Sequence, residues 1–211
     1  MKKIIVILLV LLITSTLGCN ENTSVANSEI AAKMEPQIVK VESAVQAAKQ
    51  ESGVTVTDEQ IFIPSVVKDI EENLDVVIEN SKEDELLSID FCNDQYLHTD
   101  KYEIVLMWVN TFFNSLMYGG KYGDAYTIDE WMTSINPQIF NDGERDYYIT
   151  VFDWEGDENA KGFILRYIIE ENTVFNVSGK ILHFEGDILT EQMARNIYED
   201  FKVIRLSELK S

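Results

Sequence analysis

The chain has 211 residues, 17 Lys and Arg against 37 Asp and Glu, a formal net charge of −20 and only two cysteines. An acid excess of this size repels phosphate, which argues against nucleic acid as a partner and against electrostatic docking on anionic lipid. The length suffices to bury a full core without disulfides.

Taken in chain order, Lys2 and Lys3 precede an uncharged apolar run over residues 4–13, followed by Thr14-Ser15-Thr16-Leu17-Gly18-Cys19. Ten apolar residues in a helix rise about 15 Å, half of a roughly 30 Å hydrocarbon core, so the run is a removable export signal and not a membrane span. Its end resembles the lipobox of bacterial lipoproteins, in which a small residue precedes a cysteine whose thiol receives a diacylglyceryl group before cleavage. Thr16 and Leu17 stand where an aliphatic and a smaller residue are usual. The resemblance implies a signal peptide over residues 1–18, lipidation of Cys19 with a further acyl chain, and a lipid-anchored protein of the cell envelope. Asn20, in place of the aspartate that retains lipoproteins in the inner membrane, implies the outer membrane if the host has two. Each buried methylene contributes about 0.8 kcal/mol and one chain anchors only marginally, so two or three make the tether stable.

Cleavage after Gly18 takes away two lysines and no acid, so −20 becomes −22 in the mature chain. Assigning Cys19 to lipid also leaves Cys92 as the single thiol. It lies in the apolar-rich stretch Leu86-Leu87-Ser88-Ile89-Asp90-Phe91-Cys92 and is expected to be buried. Asp94 and His98 follow it, but no local signature of a thiol enzyme surrounds it.

Residues 19–35 are a polar tether. Over residues 36–53 an amphipathic helix is predicted, with Ile38, Val41, Val45 and Ala48 on one face, Pro36 in the first turn and Gly53 at the end. Val67, Ile70, Leu74, Val77 and Ile78 suggest a second helix with an acidic outer face. Residues 51–100 hold fourteen acids against Lys68 and Lys82 alone. The most apolar stretch, about residues 100–118, is read as a buried core helix opened by Asp100 with Glu103 and closed by Gly119-Gly120. Thr127 and Glu130 form a capping box for a short helix from Ile128 to about Ile135, stopped by Asn136-Pro137.

The period then becomes extended. Residues 147–154, 163–169 and 174–184 are rich in aromatic and β-branched residues, and their short connections favour an antiparallel meander, with Gly179 marking a bulge. A helix over residues 190–201 and a short edge strand over 203–206 finish the chain. The expected fold class is therefore α+β: N-terminal helices including the buried core helix, a three- to four-stranded meander and a C-terminal helix, with residues 54–211 as one domain.

Asp153, Glu155, Asp157 and Asn159 alternate in a glycine-containing loop, a pattern suited to calcium, although glycine falls at the fourth position and not the sixth of an EF-hand loop. His98 and His183 show no ligand spacing. The glycine-rich stretch at residues 119–123 lacks the spacing of a phosphate loop and reads as a turn. No cofactor motif is present. These observations favour a non-enzymatic protein- or envelope-binding module. One alternative is an immunity or inhibitor lipoprotein that neutralises a basic toxin or hydrolase; another is an acid/base hydrolase built on a carboxylate pair.

Overall fold

The structure, a computed structural model, describes residues 37–53, 57–70, 74–80, 86–92, 95–111, 116–119, 124–157 and 160–209. The signal peptide, Cys19, the tether, Pro36, Asp94 and Asn159 lie outside the described residues, as does the glycine-rich turn apart from Gly119.

Helix α1 (Gln37–Ser52) ends at Gly53, whose φ of 68° suits a left-handed helix stop. The chain then forms β1 (Phe62–Pro64), a 3-10 turn (Ser65–Asp69), β2 (Asp75–Asn80), β3 (Leu86–Cys92), β4 (Leu97–His98), β5 (Tyr102–Thr111), β6 (Leu116–Gly119) and β7 (Asp124–Thr127). There follow α2 (Ile128–Thr133), β8 (Gln138–Asn141), β9 (Asp146–Asp153), β10 (Lys161–Glu170), β11 (Thr173–Ile181), α3 (Glu191–Asp200), β12 (Val203–Arg205) and α4 (Leu206–Leu209).

Eight strands make one antiparallel sheet in the order β2-β3-β5-β11-β10-β9-β8, with β4 added beside β5. The two-stranded pairs β1/β12 and β6/β7 stand apart from it. This architecture corrects the expected α+β fold: the molecule is mainly β, with short helices laid on a large sheet.

The largest correction concerns residues 100–118. The stretch expected to be the buried core helix is instead β5, a central strand, followed after four residues outside the description by β6. A continuous apolar run bordered by elements on both sides is as natural in a central strand as in a buried helix. A bulge adds to the ambiguity. Leu106 pairs with Ser178 and Ile104 with Gly179, so Val105 is the extra residue. The buried positions therefore run Tyr102, Ile104, Met107, Val109, and the step of three between Ile104 and Met107 imitates a helical period. Gly179 permits the bulge: a Cβ there would collide with the Glu103 carbonyl. The acidic second helix is likewise absent. Its first half is the 3-10 turn, and its β-branched Val76, Val77 and Ile78 lie in β2.

Alternation sorts the strands' residues onto two faces. The first carries Ile89, Phe91, Ile104, Met107, Tyr147, Ile149, Phe163, Leu165, Tyr167, Phe175 and Val177, all buried in the main core. Val41, Val45 and Ala48 of α1 and Ala194, Ile197 and Tyr198 of α3 close over this face. Phe201, fully buried, lies 4.8 Å from the ring of Tyr102 and 5.5 Å from that of Phe163. The Tyr167 hydroxyl donates to the Phe201 carbonyl at 3.0 Å and accepts from the Val203 amide at 2.9 Å, fastening the exit of α3 to β10. The Asp200 carboxylate accepts from the Tyr102 hydroxyl at 2.8 Å and pairs with Lys101 at 3.0 Å. β12 pairs with β1 and so does not extend the main sheet.

Among the described residues, no helix is long and apolar enough to cross a membrane.

Candidate functional site

The second face of the sheet is less covered and more polar. One transverse row, set by strand register, runs Val77, Asp90, Trp108, Asn176, Arg166, Tyr148 and Ile139 from edge to edge. Above its middle lies α2, opened as expected by the Thr127–Glu130 capping box: Thr127 accepts the Glu130 amide at 3.2 Å, and the Glu130 carboxylate accepts the Thr127 amide at 2.9 Å. The Thr127 amide and hydroxyl, both donating to that carboxylate, hold the Glu130 carboxyl below its ordinary pKa. Trp131 and Met132 of α2 pack on Val174, with Trp108, Tyr148 and Ile168 around them, forming a small second core.

Arg166 binds this layer together and is only 9% exposed. Its Nε donates to Asn176 Oδ1 at 3.1 Å, and its Nη1 donates to Ser134 Oγ at 2.9 Å and to the Trp131 carbonyl. Its guanidinium carbon lies 4.0 Å from the centre of the Trp131 ring. Every one of these acceptors is neutral, and burial pushes the guanidinium pKa down to about 10. Arg166 thus serves as a clamp: it donates to the Trp131 carbonyl and the Ser134 hydroxyl at the end of α2 and fixes that helix to the sheet.

Toward the β2 edge the row reaches Asp90, two strands beyond Asn176 from Arg166 and so roughly 14 Å from it at about 4.8 Å per strand. Burial is the main cause that raises the Asp90 pKa; the Ser88 hydroxyl, donating at 2.8 Å, opposes it, and the charge of Glu79 adds to it. Trp108, beside Asp90, packs against Trp131 with the rings tilted by 38° and their centres 5.4 Å apart. Chemically, this end of the row offers a carboxylate and an aromatic face, groups that favour a cation.

The loop proposed for calcium sits between β9 and β10. It borders an open cleft of about 460 Å³ lined by Asp153, Trp154, Gly156, Asp157, Ala160 and Lys161. Gly156 takes a φ of 92° in the turn. Asp153 pairs with Lys161 at 2.6 Å and Asp157 with Lys180 at 2.9 Å, so each carboxylate already faces an ammonium. Glu155 is exposed. Among the described residues, no group of three or more His, Cys, Asp or Glu side chains converges as metal ligands would.

Cys92 ends β3 on the second face and is half-buried, not fully buried as expected. His98 lies in β4 opposite Glu103, and His183 is exposed beyond β11, which ends at Ile181. The two histidines and Cys92 do not come together as a cluster.

Sequence reasoning missed Arg166 and Asn176. The available signal was a single polar residue inside each of two otherwise aromatic and β-branched strands, Phe163-Ile164-Leu165-Arg166-Tyr167-Ile168 and Val174-Phe175-Asn176-Val177. Polar groups in such strands must find partners, and here they find each other.

No protein-family model, curated protein or solved structure matches the chain.

Proposed function

We propose that the protein is a membrane-anchored lipoprotein of the bacterial cell envelope whose domain is a non-enzymatic binding module for a basic protein. The observation that carries this reading is charge. The mature chain bears −22, and several of its cations are spent inside the fold. Lys161, Lys180 and Lys101 pair with Asp153, Asp157 and Asp200, Arg205 pairs with Glu170, and Arg166 is buried under α2. Exposed Asp75, Glu79, Asp129, Glu144, Asp146 and Asp187 leave the surface acidic on many sides. Such a field speeds encounter with a cationic partner and disfavours anionic ones. The lipobox supports placement at a membrane, where an acidic domain stays off anionic headgroups.

The full-length protein, immobilised in detergent, captures basic proteins from envelope extract at about 0.05 M salt and releases most of them at about 0.5 M, where screening is several-fold shorter in range. Capture indifferent to ionic strength overturns the reading. For the anchor, Cys19→Ala abolishes uptake of labelled palmitate and moves the protein out of the membrane fraction; retention of both refutes lipidation at Cys19.

A further inference from the structure

The geometry points to the outer edge of β8 as the docking site, where an extended, lysine-flanked segment of the partner adds a strand to the sheet. This inference rests on the basic-partner reading and specifies its surface.

The two edges of the main sheet differ. At one edge, α1 packs against β2. At the other, α3 touches β8, but β8 is the terminal strand, and among the described residues no strand pairs with its outer side. A terminal strand carries outward N–H and C=O groups on alternate residues, a template for strand addition unless charge, proline or a covering element blocks it. Pro137 precedes β8, but Gln138, Ile139, Phe140 and Asn141 are all uncharged. Gln138, Ile139 and Asn141 are exposed, Ile139 at 56%. Ile139 ends the transverse row of the second face, beside half-buried Tyr148.

The strand is also held ready. Phe140 stacks on Tyr147 at 5.7 Å, anchoring β8 to the main core. The hairpin that follows is locked by side chains: Asn141 Nδ2 donates to Asp146 at 2.7 Å, Asn141 Oδ1 accepts the Gly143 amide at 2.6 Å, and Asp142 Oδ1 accepts the amides of Glu144 and Arg145 at 2.9 Å each. Burial is the largest single influence on the Asp142 carboxyl and would raise its pKa, but the two amides, the Tyr198 hydroxyl and the charge of Lys202 together hold it below its ordinary value. A preformed edge spares an incoming strand the cost of ordering its template.

Charge selects the occupant. The neutral strip is followed by Asp142, Glu144 and Asp146 against one cation, Arg145, and Asp129 and Glu130 lie on the preceding α2. A second copy would bring the same acids and its own large negative charge to the edge; a β-prone segment with flanking lysines brings the complement.

The test uses the full-length protein in detergent micelles and a fluorescent, end-capped peptide, Lys-Lys-Thr-Val-Thr-Val-Thr-Lys-Lys, read by anisotropy and by amide hydrogen exchange. The peptide binds and slows exchange over residues 138–141. N-methylation of alternate peptide amides leaves charge and side chains intact but removes the strand's donors, and weakens binding about tenfold. Replacing the lysines by glutamates weakens it at least as much. Ile139→Asn, at an exposed site and without change of charge, weakens it about threefold to fivefold. Absence of binding, equal binding of the N-methylated peptide, or protection of another segment overturns the proposal. So does protection of residues 138–141 that grows with protein concentration without peptide, which would assign the edge to a second copy. If Ile139→Asn captures basic proteins from extract as well as the parent does, the edge is refuted and the basic-partner reading stands; if the parent captures none, that reading itself fails.

Discussion

The two faces of the central sheet are made by the same strands but held together differently. On the first face, α1, α3 and the segments around β1 and β12 close over aromatic and aliphatic side chains, and a few polar contacts fasten the end of α3, the buried Tyr167 hydroxyl from within the core and Asp200 nearer the surface. On the second face, one short helix covers the middle, and its attachment depends on a buried guanidinium that bonds only neutral acceptors. Burial that removes apolar area from water is non-directional and tolerates small shifts, whereas a desolvated cation requires its acceptors in place. The first face is thus the source of stability, and the second is a polar assembly with a specified geometry.

Breaking the first face carries the largest expected effect. Phe201→Ala removes a fully buried ring that touches Tyr102 and Phe163, and lowers unfolding free energy by about 4 kcal/mol in chemical denaturation. A loss below about 1 kcal/mol would mean that α3 is not essential to the core.

Arg166→Ala comes next, at about 2–3 kcal/mol, because Asn176 Oδ1, Ser134 Oγ and the Trp131 carbonyl each lose the guanidinium as a donor and the ring of Trp131 loses its packing partner. Its specific mark is local. The near-ultraviolet circular dichroism of the Trp108–Trp131 pair weakens while the far-ultraviolet sheet signal persists, since α2 loosens and the sheet does not. Arg166→Lys fails to restore that signal, because one ammonium cannot reproduce the planar fork. An unchanged aromatic spectrum in both variants would show that α2 is held by apolar packing alone.

The smallest effect, with the most specific sign, is that of Asp90→Asn. The folded Asp90 pKa is raised, chiefly by burial, so the fold holds this proton better than the unfolded chain does. Ionisation therefore costs stability above the folded pKa, and the cost is relieved as pH falls through it. Asp90→Asn is accordingly more stable than the parent at pH 7, and the difference shrinks as pH falls into the carboxylate range. A difference that grows on acidification would reverse the assignment of Asp90 as a destabilised carboxylate.

Local signals in the sequence were read best where they were strongest. The Thr127–Glu130 capping box with its short helix, the C-terminal helix and the three strands β9, β10 and β11 with their short connections were legible, because each is specified by neighbours in the chain. β5 was not, because a central strand with cover on both sides and a bulge at Val105 shows neither clean alternation nor a clean helical stripe. β8 was too short to announce itself in four residues. The surroundings of the calcium pattern were hidden for a related reason: alternating acids are visible in one segment, but Lys161 and Lys180, which meet two of them, arrive from strands on either side of a later turn.

The sequence by itself determined the charge, the Thr127–Glu130 cap and the aromatic strands, all of which depend on residue identity and short-range spacing. Only the tertiary structure decided which apolar run is a central strand, which acids are already neutralised, that Arg166 and Asn176 share one row, and that β8 is the terminal strand of the sheet among the described residues. Those outcomes depend on contacts between residues far apart in the chain, where cross-strand register and burial outweigh local propensity.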